Sequence, residues 1–307
     1  MIVYLSEPIH PVARKLLAEN VTIVDTFDDI EHIDAALLRN VPMTEELMKR
    51  AKNLKLVAEH GVGVDNIDLI AAKKYGIAVT NTPQANTGSV AELVVGLIIA
   101  LERNFVQANA AVHAGKVKQA YPMEFMGHSL EGKTLGQLAL GAIGSRVARM
   151  LKTAFSMKVL AYAPHTSDEK FEEYGFVRAH SLEEMIRQSD VVNISIGLNQ
   201  QTRNLISGPV FDWFKPHAIL LNCARGGIVN EQDLYEALKS GKLHAAACDV
   251  FEQEPPTPAD PLLSLPNFIA TPHMGASTDE ALQNMAGMAV DEILRLKREE
   301  PFKHRVV

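Results

Sequence analysis

The stretch Gly132-Lys-Thr-Leu-Gly-Gln-Leu-Ala-Leu-Gly-Ala-Ile-Gly-Ser-Arg-Val-Ala-Arg-Met-Leu151 decides the fold. Leu135–Leu140 reads as a strand, Gly141 and Gly144 follow, and Ser145–Leu151 continues as a helix. Glycine at 141 lets main chain approach a pyrophosphate, and glycine at 144 lets helix and strand pack closely. The helix N-terminus supplies oriented N–H donors and the positive end of a dipole, with Ala142 and Ile143 between the two glycines. The full Gly-x-Gly-x-x-Gly pattern lacks its first glycine, because Ala139 stands there. On these residues alone, a phosphate-binding loop and an ordinary tight strand–helix turn both stay open.

Outward from this stretch, short apolar runs alternate with amphipathic ones. Upstream, Ile2–Leu5, Val21–Val24, Ala35–Leu38, Lys55–Ala58 and Ile77–Thr80 read as strands, with helical stretches such as Pro11–Glu19 and Thr44–Ala51 between them. Ser89–Arg103 reads as one long helix, and a polar stretch runs from there to Gly127. The alternation then restarts with Leu135–Leu140, Lys158–Tyr162, Val191–Ser195, Ala218–Asn222, His244–Val250 and Phe268–Thr271, before a last helix over roughly Asp279–Arg298. Two runs of this kind predict an α/β protein of two doubly wound parallel-sheet domains with a cleft between them.

Composition bounds the function. The 307 residues suffice for two ordinary domains, and 47% hydrophobic with 22% charged residues is the balance of a soluble globular chain. A formal net charge of −7 argues against nucleic acid or an anionic membrane as partner. No stretch is long and apolar enough to span a bilayer, and Met1–Pro8 lacks the features of a signal peptide. Cys223 and Cys248 both lie in apolar runs, which suits free thiols in a reducing cytoplasm. No cluster of metal ligands stands out.

Three motifs in the last third carry chemistry. They are Asn222-Cys-Ala-Arg-Gly-Gly-Ile-Val-Asn-Glu231, Asp249-Val-Phe-Glu-Gln-Glu-Pro-Pro256 and Ala270-Thr-Pro-His-Met-Gly-Ala-Ser277, each just after an apolar run. Arg225 can hold an anionic substrate, His273 can move a proton, and Glu254 can hold the imidazole in its charged form. Singly, each has a plain competitor: a structural salt bridge for Arg225, a solvated carboxylate for Glu254, a capping or core imidazole for His273.

Together, and in this order, the motifs resemble those of the D-2-hydroxyacid dehydrogenase family, most closely its phosphoglycerate-dehydrogenase-like branch. His60-Gly-Val-Gly-Val-Asp-Asn-Ile-Asp68 and Asn81-Thr-Pro-Gln-Ala-Asn-Thr-Gly-Ser-Val-Ala-Glu92 look like that family's substrate loop and helix entry, and Gly132–Gly144 like its cofactor loop. The resemblance implies a Rossmann cofactor domain over 104–280 and a flavodoxin-like substrate domain over 1–103 plus 281–307, the last helix returning to the first domain. It implies hydride transfer between a nicotinamide cofactor and a small D-2-hydroxy acid or 2-oxo acid. Arg225, Glu254 and His273 would be the catalytic set. Gly141, Ala142, Ile143, Gly144, Ala163, His165, Thr166, Ala224 and Asp249 would hold the cofactor, Asp249 at the nicotinamide amide. The main-chain N–H groups of Val62 and Gly63 would take the substrate carboxylate, and His60 would touch the variable end of the acid. It further implies a homodimer, with Phe105–Gly127 as the dimer arm.

Departures from the family pattern sharpen the expectations. In Val159-Leu-Ala-Tyr-Ala-Pro-His-Thr166, Ala163 stands where an NAD enzyme places Asp or Glu to grip the ribose hydroxyls. Without that carboxylate a 2′-phosphate is not repelled, so the cofactor is NAD or NADP with a lean to NADP, although no arginine stands in this loop. Ser195 and Gly197 replace the His and Pro usual after the strand at Val191. Glu59-His60 replaces an arginine often found before the glycine loop of phosphoglycerate dehydrogenases, and a carboxylate there would repel a phosphate. A regulatory domain beyond Val307, with its serine feedback, is not expected. A D-3-phosphoglycerate dehydrogenase and a dinucleotide-sensing corepressor scaffold of the same fold are the competing readings.

Overall fold

The computed structural model describes all residues 1–307. The chain forms two compact units, one from Met1–Ser89 with Ala276–Val307 and the other from Val90–Gly275.

The first unit is built on five strands, β1 (Ile2–Leu5), β2 (Thr22–Val24), β3 (Ala35–Leu38), β4 (Leu56–Glu59) and β5 (Ala78–Thr80). They pair in the order β2-β1-β3-β4-β5, every neighbouring pair parallel. This is the flavodoxin-like order. β3 and β4 are buried along their whole length, which is why they read as unbroken apolar runs. Tyr4, Ala36, Leu38, Val57 and Val79 form the core on one face of the sheet. Val3, Leu5, Leu37, Leu56 and Ala58 form the other with Ala286, Ala289, Val290 and Ile293 of the last helix, Asp279–Lys297. That helix starts where Thr278 Oγ1 accepts from the Ala281 N–H at 3.2 Å.

The second unit holds seven strands, β6 (Thr134–Leu138), β7 (Lys158–Tyr162), β8 (Val177–Arg178), β9 (Val191–Ile194), β10 (Ile219–Asn222), β11 (Ala245–Cys248) and β12 (Phe268–Ala270). Their order is β12-β11-β10-β9-β6-β7-β8, again all parallel. The chain therefore starts in the middle of this sheet and winds outward both ways, the Rossmann arrangement, and the reversal falls between β6 and β9. Ligands of such sheets bind beyond the carboxyl ends of the strands at that reversal. Separate apolar cores cover the two faces. Cys223 packs against one core and Cys248 lies in the other; both thiols are free, and burial pushes both upward.

Two features differ from the sequence reading. The helix Thr87–Glu102 packs Ala91, Val94, Ile98 and Leu101 into the second unit's core, so the units part at 89/90 and 275/276, where 103/104 and 280/281 were expected. Within the polar stretch a helix forms over Phe105–His113. It buries no side chain, so no apolar stripe announced it. No helix of the chain is long and apolar enough to cross a membrane.

Candidate active site

The carboxyl ends of β10, β11 and β12, neighbours in the sheet, each open into a loop that bears one of the three expected side chains. After β10, the Asn222 amide donates to the Arg225 carbonyl at 2.9 Å, while its oxygen accepts from the Ala224 N–H at 3.2 Å. Arg225 Nη1 donates to the Ala224 carbonyl at 2.7 Å. Gly226 then passes so close to the next loop that any β-carbon on it would strike the carbonyl of Phe251. After β11, the Phe251 N–H donates to Glu254 Oε1 at 3.0 Å, which turns the carboxylate back towards the sheet. Its other oxygen lies 2.7 Å from His273 Nδ1.

Glu254 is therefore a paired carboxylate and not a solvated one. Partial burial pulls its pKa upward, but the hydrogen bonds from His273 and the Phe251 N–H, with the charges of His273 and Arg225, outweigh that and hold it below the usual carboxylate range. With Nδ1 committed to Glu254, Nε2 is the nitrogen that can exchange a proton with a bound molecule. Arg225, Glu254 and His273 thus form one electrostatic group.

Asp249 is tied to the loop that follows β12. Its side chain is 1% exposed. Oδ1 accepts from the Thr271 hydroxyl at 2.6 Å and the Met274 N–H at 2.8 Å, and Oδ2 accepts from the Gly275 N–H at 2.8 Å. Its main-chain carbonyl accepts from the His273 N–H at 2.8 Å. These four bonds bracket His273, which adopts φ +51°, a left-handed conformation that a non-glycine residue keeps only when its surroundings impose it. These bonds make Asp249 a clamp on the loop that presents the imidazole.

The glycine turn after β6 fits a dinucleotide. The helix Ala142–Phe155 starts at Gly141 with no side chain capping it, so the first N–H groups, those of Ala142, Ile143 and Gly144, keep donors for an anion. A β-carbon on Gly144 would strike the Ala139 carbonyl, whereas one on Gly141 would meet nothing within 4 Å of protein. The first glycine serves the ligand side, the second the packing. Ala139 takes φ +68°, the conformation glycine would take, so the turn keeps its shape without it. Beneath the turn, Gln137 Nε2 donates to the Ala139 carbonyl at 3.0 Å and Asn193 Nδ2 donates to Gln137 Oε1 at 2.8 Å. The sequence reading passed over this buried amide pair. Its only signal was a polar residue inside each of two apolar strands. Asn193 also donates to Ser195 Oγ at 3.1 Å, which ties down the residue at the carboxyl end of β9.

At the end of β7, Ala163 is buried, His165 is exposed and Thr166 is half-buried. The Thr166 N–H donates to the Ala163 carbonyl at 3.1 Å. The structure adds a residue here that the sequence reading did not place: Arg178 of β8, whose guanidinium donates to the carbonyls of Ala163 and Thr166.

In the first unit, Val62 is exposed and Gly63 half-buried in a loop held by the Asn81 amide on the Val62 carbonyl at 2.8 Å and the Thr82 N–H on the Gly61 carbonyl at 2.9 Å. His60 is a buried residue. It is 2% exposed, and burial, with Arg39 nearby, pushes its ring down to about 4, so it is neutral near pH 7. Glu59 is likewise buried, with Oε2 accepting from the Asn66 amide at 3.2 Å. The repulsion of a phosphate expected of it loses support.

Known proteins resemble this chain along most of its length. A family model described as "D-isomer specific 2-hydroxyacid dehydrogenase, NAD binding domain" matches residues 95–275. A D-3-phosphoglycerate dehydrogenase of Methanocaldococcus jannaschii is 38% identical across 97% of this chain, which spans 58% of that relative's length. A hydroxypyruvate reductase of Thermotoga maritima is 36% identical, with 95% of this chain and 97% of the relative covered. Among solved structures, the TT0316 protein of Thermus thermophilus superposes with a TM-score of 0.94 at 32% identity, covering all of both chains.

Proposed function

Because the chain belongs to the D-isomer specific 2-hydroxyacid dehydrogenase family, we propose that it interconverts a small D-2-hydroxy acid and its 2-oxo acid with a nicotinamide dinucleotide. The observation that carries this reading is the His273–Glu254 pair at 2.7 Å, with the Arg225 charge bearing on the same carboxylate. When bound, the dinucleotide supplies a hydride to C2 of the oxo acid or takes it back. Arg225 offers a planar fork to the substrate carboxylate and the oxygen at C2. In reduction, protonated His273 gives its Nε2 proton to that oxygen as charge builds there. In oxidation, the neutral ring takes the hydroxyl proton, and Glu254 stabilises the imidazolium so formed. In the first unit, the N–H groups of Val62 and Gly63 are proposed to hold a carboxylate oxygen.

The glycine turn supports NAD or NADP, and the missing acid at Ala163 favours NADP. Two free thiols suit a reducing cytoplasm. A second reading, reduction of a phosphorylated oxo acid, gains ground from the inward-facing Glu59 and from the Methanocaldococcus relative.

The test is a panel. Purified protein is offered glyoxylate, hydroxypyruvate, pyruvate and phosphohydroxypyruvate with NADH and NADPH, and absorbance loss is followed. Reduction of an unphosphorylated acid is expected. Efficient turnover of phosphohydroxypyruvate alone would select the second reading. Tight dinucleotide binding without any turnover would make the chain a sensor or scaffold.

A homodimer is also proposed, through the segment 105–127. Phe105, Val106, Val112, Met123 and Met126 are exposed there, and Tyr121 is 94% exposed, an apolar concentration that monomers rarely leave to water. Sedimentation at micromolar concentration should give a dimer, and changing Tyr121 and Met123 to Glu should give monomers. A monomeric unaltered chain would remove the proposal.

A further inference from the structure

We propose that Arg178 sets the cofactor preference of this chain, as a pre-oriented guanidinium that receives the 2′-phosphate of an NADP-type dinucleotide. The assignment rests on the dinucleotide reading above. Arg178 ends β8, paired with Ala161 of β7, so it comes to the Ala163–Ser167 loop from the neighbouring strand. Its Cζ lies 4.0 Å from the centroid of the Phe171 ring. Nη1 donates to the Ala163 carbonyl at 3.3 Å and Nη2 to the Thr166 carbonyl at 2.7 Å. A guanidinium stacked on one face and tethered on two nitrogens has little freedom left to lose on binding a ligand.

Its remaining partner is of another kind. Asp168 Oδ1 lies 2.7 Å from Nη2, but the Asp168 side chain is 82% exposed against 23% for Arg178. A carboxylate that open to water is held weakly. It occupies the anion position of an otherwise fixed cation, and a phosphate monoester, with more charge and three acceptor oxygens, can displace it. The side chain of Ala163, where an acid would grip a ribose hydroxyl and repel phosphate, brings no charge of its own. His165 and the Thr166 hydroxyl lie on the same loop and add further hydrogen-bonding groups. The competing role for Arg178 is purely a loop clamp, which would serve both dinucleotides alike.

Isothermal titration of the full chain, without substrate, separates the two. The ligands are NADPH, NADH, 2′-phospho-ADP-ribose and ADP-ribose. Arg178→Gln should weaken the two phosphorylated ligands about 10- to 100-fold, the worth of one charge-assisted contact, and leave the other two nearly unchanged. Asp168→Asn, a surface change that leaves the core untouched, should strengthen the phosphorylated ligands a few-fold by removing their competitor. Equal weakening of all four ligands by Arg178→Gln, or unchanged NADPH binding in either variant, would overturn the assignment while leaving the dinucleotide reading intact. If the unaltered chain bound none of the four, the dinucleotide reading would fall, and this assignment with it.

Discussion

Replacing His273 by alanine is expected to lower turnover about 10²- to 10⁴-fold, the range for loss of a general acid–base group, while dinucleotide affinity stays unchanged. The split follows from position. His273 sits on the loop after β12, tied by Nδ1 to Glu254, whereas the phosphate-binding turn follows β6, on the far side of β9 and β10 in the sheet. Glu254 is held below the usual carboxylate range and so remains charged throughout the neutral region, ready to stabilise an imidazolium. As pH falls through its lowered value, Glu254 takes up a proton and that support is lost. The measurement is single-turnover reduction of the best acid from the panel, beside titration of the dinucleotide. Turnover within about threefold of the unaltered protein would take His273 out of the proton-transfer role, since even modest general catalysis exceeds that.

Asp249→Asn is expected to have the next largest effect, and of a different character. The carboxylate accepts from three donors on the His273 loop. An amide has one acceptor oxygen, and its NH₂ would face a donor that has nothing to accept from it. Leaving buried donors unpaired costs about 1–3 kcal/mol each, so a loss on the order of 2–4 kcal/mol is expected, seen as a fall in Tm of roughly 5–10 °C. With its bracket loosened, the left-handed turn at His273 relaxes. A misplacement on the order of 1 Å costs about 10²-fold in rate, so kcat should fall by at least about tenfold. Calorimetry and turnover measured together decide the matter. An unchanged Tm with weakened dinucleotide binding would return Asp249 to the cofactor contact that its motif first suggested.

What the sequence made legible follows from burial. β1, β3 and β7 match the expected strands residue for residue. β3 is buried along its whole length, and β1 and β7 are covered at all but their ends, so their apolar runs have one reading. The Glu254–His273 pair was legible because three motifs, each just after a strand, stand in the order of a known family. Arg178 was not, because it comes from a two-residue strand 15 positions beyond the Ala163 carbonyl it reaches, and only sheet pairing brings them together. The burial of His60 was not legible either: it lies beside a glycine loop in sequence, yet it is 2% exposed. The helix Phe105–His113 carries no stripe, since the chain buries none of its residues and half-covers only Gln107, Ala108 and Ala111.

Gly226 bears on how a mutational survey of this protein should be understood. It stands beside Arg225 and would score as intolerant, yet it has no side chain with which to touch a reactant. Its intolerance would arise because two loops run back to back with no room for a single methyl group. The segment that delivers the cation and the one that delivers the acid are therefore one mechanical part. Widening either loop would shift both, so a change meant to leave this pair in place should start from residues outside the two loops.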